Sequence, residues 1–189
     1  MISGIQLVEY LLKEYGPLPQ KKLQKLAYLA EIEYIRKHGE RLTDLSFKRY
    51  YYGPYSEDIR NIEDLEENII VNETQSGSFS SKESTLIASR DIEPIKSKAL
   101  QEEIHSLIGK YVKRSGKSLE TIADNTEPFL ETEKHNDPID LDGYAWYYSK
   151  VNSQEFWKAA EDADKKNEKN HVYGKHVIHD SSELDSLLQ

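Results

Sequence analysis

The chain has 189 residues, 37% of them apolar, with 25 Lys and Arg against 34 Asp and Glu and a formal net charge of -9. That length fits one domain, or one domain with an appendage, and the negative charge disfavours general affinity for nucleic acid. The absence of cysteine excludes disulfide stapling and thiolate chemistry. No apolar run approaches the roughly 20 residues of a membrane span, and the N-terminus lacks a signal pattern, so a soluble, cytoplasmic protein is expected.

Residues 3 to 15 place Ile5, Val8, Leu11, Leu12 and Tyr15 on one side of a helix, with Ser3 as its cap. Gly16-Pro17-Leu18-Pro19 ends it and turns the chain back into a helical hairpin. The second helix carries Leu23, Leu26, Ala27, Leu29, Ala30, Ile32 and Ile35, apolar around so much of its circumference that it should be the core helix, covered on several sides. Arg36, Lys37 and His38 place cations in its last turn, and Gly39 follows as the residue that ends it.

Phe47 to Tyr52 is aromatic and runs into Gly53-Pro54, which suits an extended segment ending in a turn. Ser56 is placed to cap a third helix, with Ile59, Ile62, Leu65 and Ile69 at helical spacing. Ile69 to Val71 and Ser84 to Ala88 flank a polar stretch containing Gly77, the pattern of a β-hairpin with a mobile tip. Two helices, a strand, a helix and a hairpin follow the order of a winged-helix domain in the N-terminal half, although order alone does not establish DNA binding.

Leu100, Ile104, Leu107, Ile108 and Tyr111 mark a fourth helix running to about Arg114 and closed by Gly116. Ser118 begins a short helix, Pro128 opens a further turn, and His135 to Gly143 is a polar loop. Tyr144 to Tyr148 is too short to assign by period, and Ser153 caps a last helix with Phe156, Ala160 and Ala163 on one face. The fold class is therefore mainly α with a small β element: a compact helical domain over 1–163, with a short strand and a hairpin, and a polar, loosely held tail over 164–189.

Lys22-Leu23-Gln24-Lys25-Leu26, followed by Tyr28 and Ala30, then Gly39, Leu42, Phe47 and Tyr52-Gly53-Pro54, resembles the Panacea domain. That family includes SocA-like antitoxins and phage-associated proteins. The resemblance is strong over about Leu7 to Leu65. In a second family motif, Asn125-Thr126-Glu127-Pro128-Phe129, Thr126 and Pro128 match, whereas Glu127 and Phe129 depart from the pattern. The resemblance implies an interaction protein that neutralises a toxin encoded nearby by binding it. An adaptor that delivers a partner to a protease is an alternative within the same family.

The residues themselves offer no phosphate loop, no serine-hydrolase elbow and no zincin helix, and no catalytic, cofactor-binding or metal-ligating residue is assigned. His171, His176 and His179 with Asp180 are best read as incidental surface groups, and Glu63, Glu66 and Glu67 as a solvated helix face. Gln20 to Arg60 holds nine Lys and Arg against six Asp and Glu. A local basic face there keeps a DNA-binding regulator open as a further alternative, which the acidic total opposes.

The chain has 13 tyrosines against four phenylalanines and two tryptophans, a bias that suits half-exposed contact surfaces as well as core edges. In Tyr50-Tyr51-Tyr52, alternation sends Tyr51 to one face with Phe47 and Arg49, and Tyr50 and Tyr52 to the other with Lys48. One face should be core and the other a contact surface for protein or, less readily, nucleic acid. The residues assigned to partner binding are Lys22, Lys25, Lys48, Tyr50 and Tyr52.

Overall fold

A computed structural model of the chain describes residues 1–62, 67–76, 81–89, 92–154 and 156–161. Leu65, Glu63, Glu66, the hairpin tip at Gly77, Ala163 and the segment 164–189 with its three histidines lie outside the described residues.

The first helix, α1 (Gly4–Tyr15), starts at Ser3, whose hydroxyl accepts from the Gln6 N–H while the Gln6 side chain accepts from the Ser3 N–H. This reciprocal box satisfies two of the donors that a helix start leaves unpaired. The turn that follows is also a strand: β1 (Leu18–Pro19). It leads directly into α2 (Gln20–His38), the core helix. Leu23, Leu26, Ala27, Leu29, Ala30, Ile32 and Ile35 are all buried, as its all-round apolar pattern requires. Gly39 ends it in the left-handed region, with its N–H donating to Ile35 O at 2.7 Å.

The tyrosine-rich segment forms a hairpin of its own, β2 (Lys48–Tyr50) and β3 (Gly53–Tyr55). A single turn of helix, α3 (Glu57–Arg60), follows. Ile62 is helical again, residues 63–66 lie outside the described ones, and Ile69, expected at helical spacing, belongs to the next strand. Ser56 holds the cap position with extended backbone, but its hydroxyl makes no capping bond. Gln24 instead fixes the backbone of the cap residue from α2, donating to Ser56 O at 2.9 Å and accepting from Ser56 N at 2.8 Å.

The expected long hairpin is β4 (Ile69–Ser76) and β5 (Ser81–Ala88), paired in register from Ile69 with Ala88 to Ser76 with Ser81. The strand that joins it is not the tyrosine segment but β1, through Leu18 with Leu86 and Pro19 with Thr85, giving the order β1-β5-β4. The expected order of two helices, a strand, a helix and a hairpin changes accordingly: the short strand of this sheet lies between the first two helices, and the segment after α2 forms a separate two-stranded sheet.

Next come α4 (Lys98–Val112) and α5 (Gly116–Asp124). Gly116 opens α5 rather than closing α4, since Ser115 accepts from Ser118 N at 3.2 Å and is the N-cap. The short α6 (Glu127–Glu131) carries Pro128 in its first turn, where a missing N–H costs nothing. Tyr144 to Tyr148 lies within α7 (Leu141–Val151), started by Asp140, which accepts from Gly143 N at 2.8 Å. The polar loop thus ends at Asp140. Ser153 accepts from Phe156 N at 3.2 Å, and the backbone over 156–161 is helical.

All of these helices gather around α2. Its middle is pinned by Tyr28, whose hydroxyl lies 2.7 Å from Thr126 Oγ1 while its ring meets Phe47 edge-on. Its fully buried Glu31 holds the next loop through Leu42 N, Thr43 N, the Thr43 hydroxyl and Arg41. Arg36 reaches Glu127 at 2.6 Å and the Tyr144 hydroxyl at 2.9 Å, tying α2 to α6 and α7.

Candidate functional site: a tyrosine hairpin beside the start of the core helix

Two residues, Tyr51 and Tyr52, link β2 to β3, and Gly53 then takes φ of 87°. A hairpin this tight needs a residue in the left-handed region to reconcile the turn with the strand twist, and glycine adopts it without a side-chain penalty. Gly53 also has no room for a side chain: a Cβ there would lie 2.6 Å from Asp124 Oδ1 and 3.0 Å from Lys25 Cε. The hairpin is held from outside by Arg49, which donates to Phe129 O at 2.5 Å and stacks on the Phe129 ring, while its backbone pairs with Asn136 and Asp137.

This turn breaks the alternation expected for the tyrosines. Phe47 is core, but the strand ends at Tyr50, so Tyr51 and Tyr52 sit in the turn and all three tyrosines are exposed, at 38%, 74% and 62%. Tyr51 therefore does not share a buried face with Phe47. The rings stack on one another instead: Tyr50 lies 5.0 Å from Tyr55 and 4.6 Å from His135, and His135 lies 3.8 Å from Tyr51. Tyr52 stands apart, with Lys21 Nζ 5.4 Å above its ring.

Of the assigned residues, Lys22, Lys25, Tyr50 and Tyr52 line one pocket of about 580 Å³ between the hairpin, the first turns of α2, and α5. Lys21, Tyr55, Arg60, Lys117 and Glu120 complete much of its wall. Lys48 is not part of it and faces Glu57 at 3.3 Å on the surface. Lys22 Nζ donates to Val112 O at 2.6 Å, placing a cation at the carbonyl end of α4 where the helix dipole favours it.

Lys25 is only 6% exposed, and its Nζ donates to Pro54 O at 2.8 Å. Burial lowers its pKa to about 8, against the opposing pull of the Asp124 and Glu120 carboxylates. Asp124 Oδ1 is itself buried without a hydrogen-bond partner among the described residues, and burial raises the pKa of that carboxyl. A lysine reads as a surface residue in sequence. This one is buried where the hairpin and α5 meet over α2.

Arg60 and Lys117 escape sequence reasoning because they come from α3 and the start of α5, distant in the chain and without a local pattern. The pocket sets cations beside tyrosine rings, with one buried ammonium. Among the described residues no group of three or more His, Asp or Glu is placed to hold a metal ion, and no helix is long and apolar enough to cross a membrane. No curated protein matches the chain, and no solved structure does. The family model for the antitoxin SocA-like Panacea domain matches residues 23–129, more than half of the chain, and the chain belongs to that family.

Proposed function

We propose that this protein is an antitoxin that neutralises a toxin by direct binding in the cytoplasm, the toxin being encoded next to it. The observation that carries the reading is membership of the antitoxin SocA-like Panacea family across the core helix, the tyrosine hairpin and α5. Binding requires no catalytic constellation, only a surface with anchors. The hairpin supplies such a surface: exposed tyrosines give large contact area at small side-chain entropy cost, and neighbouring lysines give charge complementarity.

Lys22, Lys25, Lys48, Tyr50 and Tyr52 are the residues proposed to meet the partner, on a domain extending over 1–163. In this reading Tyr50 and Tyr52 are the anchors. Lys48 contributes at the rim, where its exposed pair with Glu57 is weak and readily exchanged. The test is co-expression: the chain should restore growth of cells expressing the product of the adjacent reading frame, and the two should co-purify. Growth arrest that persists despite soluble, folded chain rejects the reading.

A further inference from the structure

The pocket beside the tyrosine hairpin concentrates positive charge on a chain whose total is -9. Among the described residues of its lining, Lys21, Lys22, Lys25, Arg60 and Lys117 stand against Glu120 as the one carboxylate. It lies at the start of α2, a 19-residue helix with no acidic residue in its first turn and no side-chain hydrogen bond at its cap, Pro19. No carboxylate of the helix's own first turn therefore offsets the positive end of its dipole.

Lys25 adds an independent observation. An ammonium carries three N–H donors, and this one, almost wholly buried in the pocket wall, has Pro54 O as its one acceptor among the described residues. The carboxylates of Asp124 and Glu120 act on it through their charge, but Asp124 Oδ1 accepts no hydrogen bond. The ammonium's hydrogen bonding is thus incomplete among the described residues, and a carboxylate oxygen entering the pocket would supply a further acceptor.

We propose that the pocket receives one carboxylate from an acidic side chain, Asp or Glu, of the protein partner, with Lys25 as the anchoring cation; this rests on the binding surface proposed above. Tyr50 and Tyr52 would flank the segment that carries the acid. A single carboxylate suits the site better than a polyphosphate. Glu120 in the lining and Asp124 behind Gly53 repel additional negative charge, and so does the field of the whole chain.

The test uses the full chain alone, with lysine Cε labelled with carbon-13 and the Lys25 resonance assigned by its loss in Lys25→Met. Its titration is followed by NMR with propionate, with neutral propionamide and with pyrophosphate, at matched ionic strength. Bound carboxylate favours the charged amine, so propionate should move the Lys25 midpoint up by about half a pH unit or more, and propionamide should leave it in place. Lys117→Glu, a change at an exposed wall residue, should reduce that shift. An unmoved midpoint, or an equal shift with propionamide, overturns the proposal. A larger shift with pyrophosphate overturns the carboxylate assignment in favour of a phosphate ligand. No toxin enters this assay, so it separates the two claims. A propionate shift in a chain that fails to neutralise keeps the pocket and discards the antitoxin reading, whereas neutralisation without a shift does the reverse.

Discussion

Replacing Gly53 by alanine perturbs the hairpin and the buried lysine together. The backbone at φ of 87° costs a β-carbon about 1–2 kcal/mol. The new methyl would sit 2.6 Å from Asp124 Oδ1 and 3.0 Å from Lys25 Cε, so both side chains must move. Lys25 would then give up its bond to Pro54 O, for about 1 kcal/mol more. The sum is a destabilisation of about 2–3 kcal/mol. A double-mutant cycle isolates the packing part: in a Lys25→Ala background, where the bond to Pro54 O is already gone, Gly53→Ala should cost about 1 kcal/mol less than in the wild type. Urea denaturation of the four chains, with equal m-values, measures the difference directly. Equal losses for Gly53→Ala in the two backgrounds would refute the close packing of the hairpin over Lys25.

Leu26→Ala, in the fully buried centre of α2, should cost about 2–5 kcal/mol in the same denaturation assay, and an unchanged midpoint would remove α2 from the core. Lys25 gives a pH signature. Its folded pKa of about 8 lies below the ordinary 10.5, so above pH 8 the unfolded chain binds more protons and the contribution of Lys25 to stability rises with pH. Wild-type stability measured relative to Lys25→Met should accordingly climb by about 1 kcal/mol per pH unit between pH 8 and 9.5; a flat difference contradicts the burial. The isolated chain should give no salt-sensitive, submicromolar shift of a duplex from its own promoter, since its charge of -9 opposes the phosphate backbone.

What could be read from the residues alone follows from where local pattern is sufficient. The core helix and its end at Gly39 were legible because all-round apolar spacing and a terminal glycine are local signals. So was the hairpin from Ile69 to Ala88. The strand Leu18–Pro19 was not, since two residues have no period and it exists only through pairing with Thr85 and Leu86. The helix carrying Tyr144 to Tyr148 was hidden because its aromatics face several ways, from buried Tyr144 to exposed Trp146, leaving no single stripe.

At the site, extrapolating strand alternation past Tyr50 placed Tyr51 wrongly, because the turn begins there. The same residues nevertheless led to Lys22, Lys25, Tyr50 and Tyr52, which share one pocket. What the sequence could not convey was that Lys25 is buried. That depends on Gly53 admitting the hairpin to close approach, a tertiary event between segments almost thirty residues apart.

Binding of a protein toxin by the tyrosine hairpin is decided by the affinity of the chain for the product of the adjacent reading frame, measured by calorimetry. Tyr50→Ala combined with Tyr52→Ala should weaken binding by about thirty-fold or more, equivalent to about 2 kcal/mol for loss of hot-spot aromatics. The melting temperature should stay within about 4 °C, because both rings are substantially exposed. A stable double variant that binds as tightly as the wild type would place the toxin-binding surface elsewhere on the molecule.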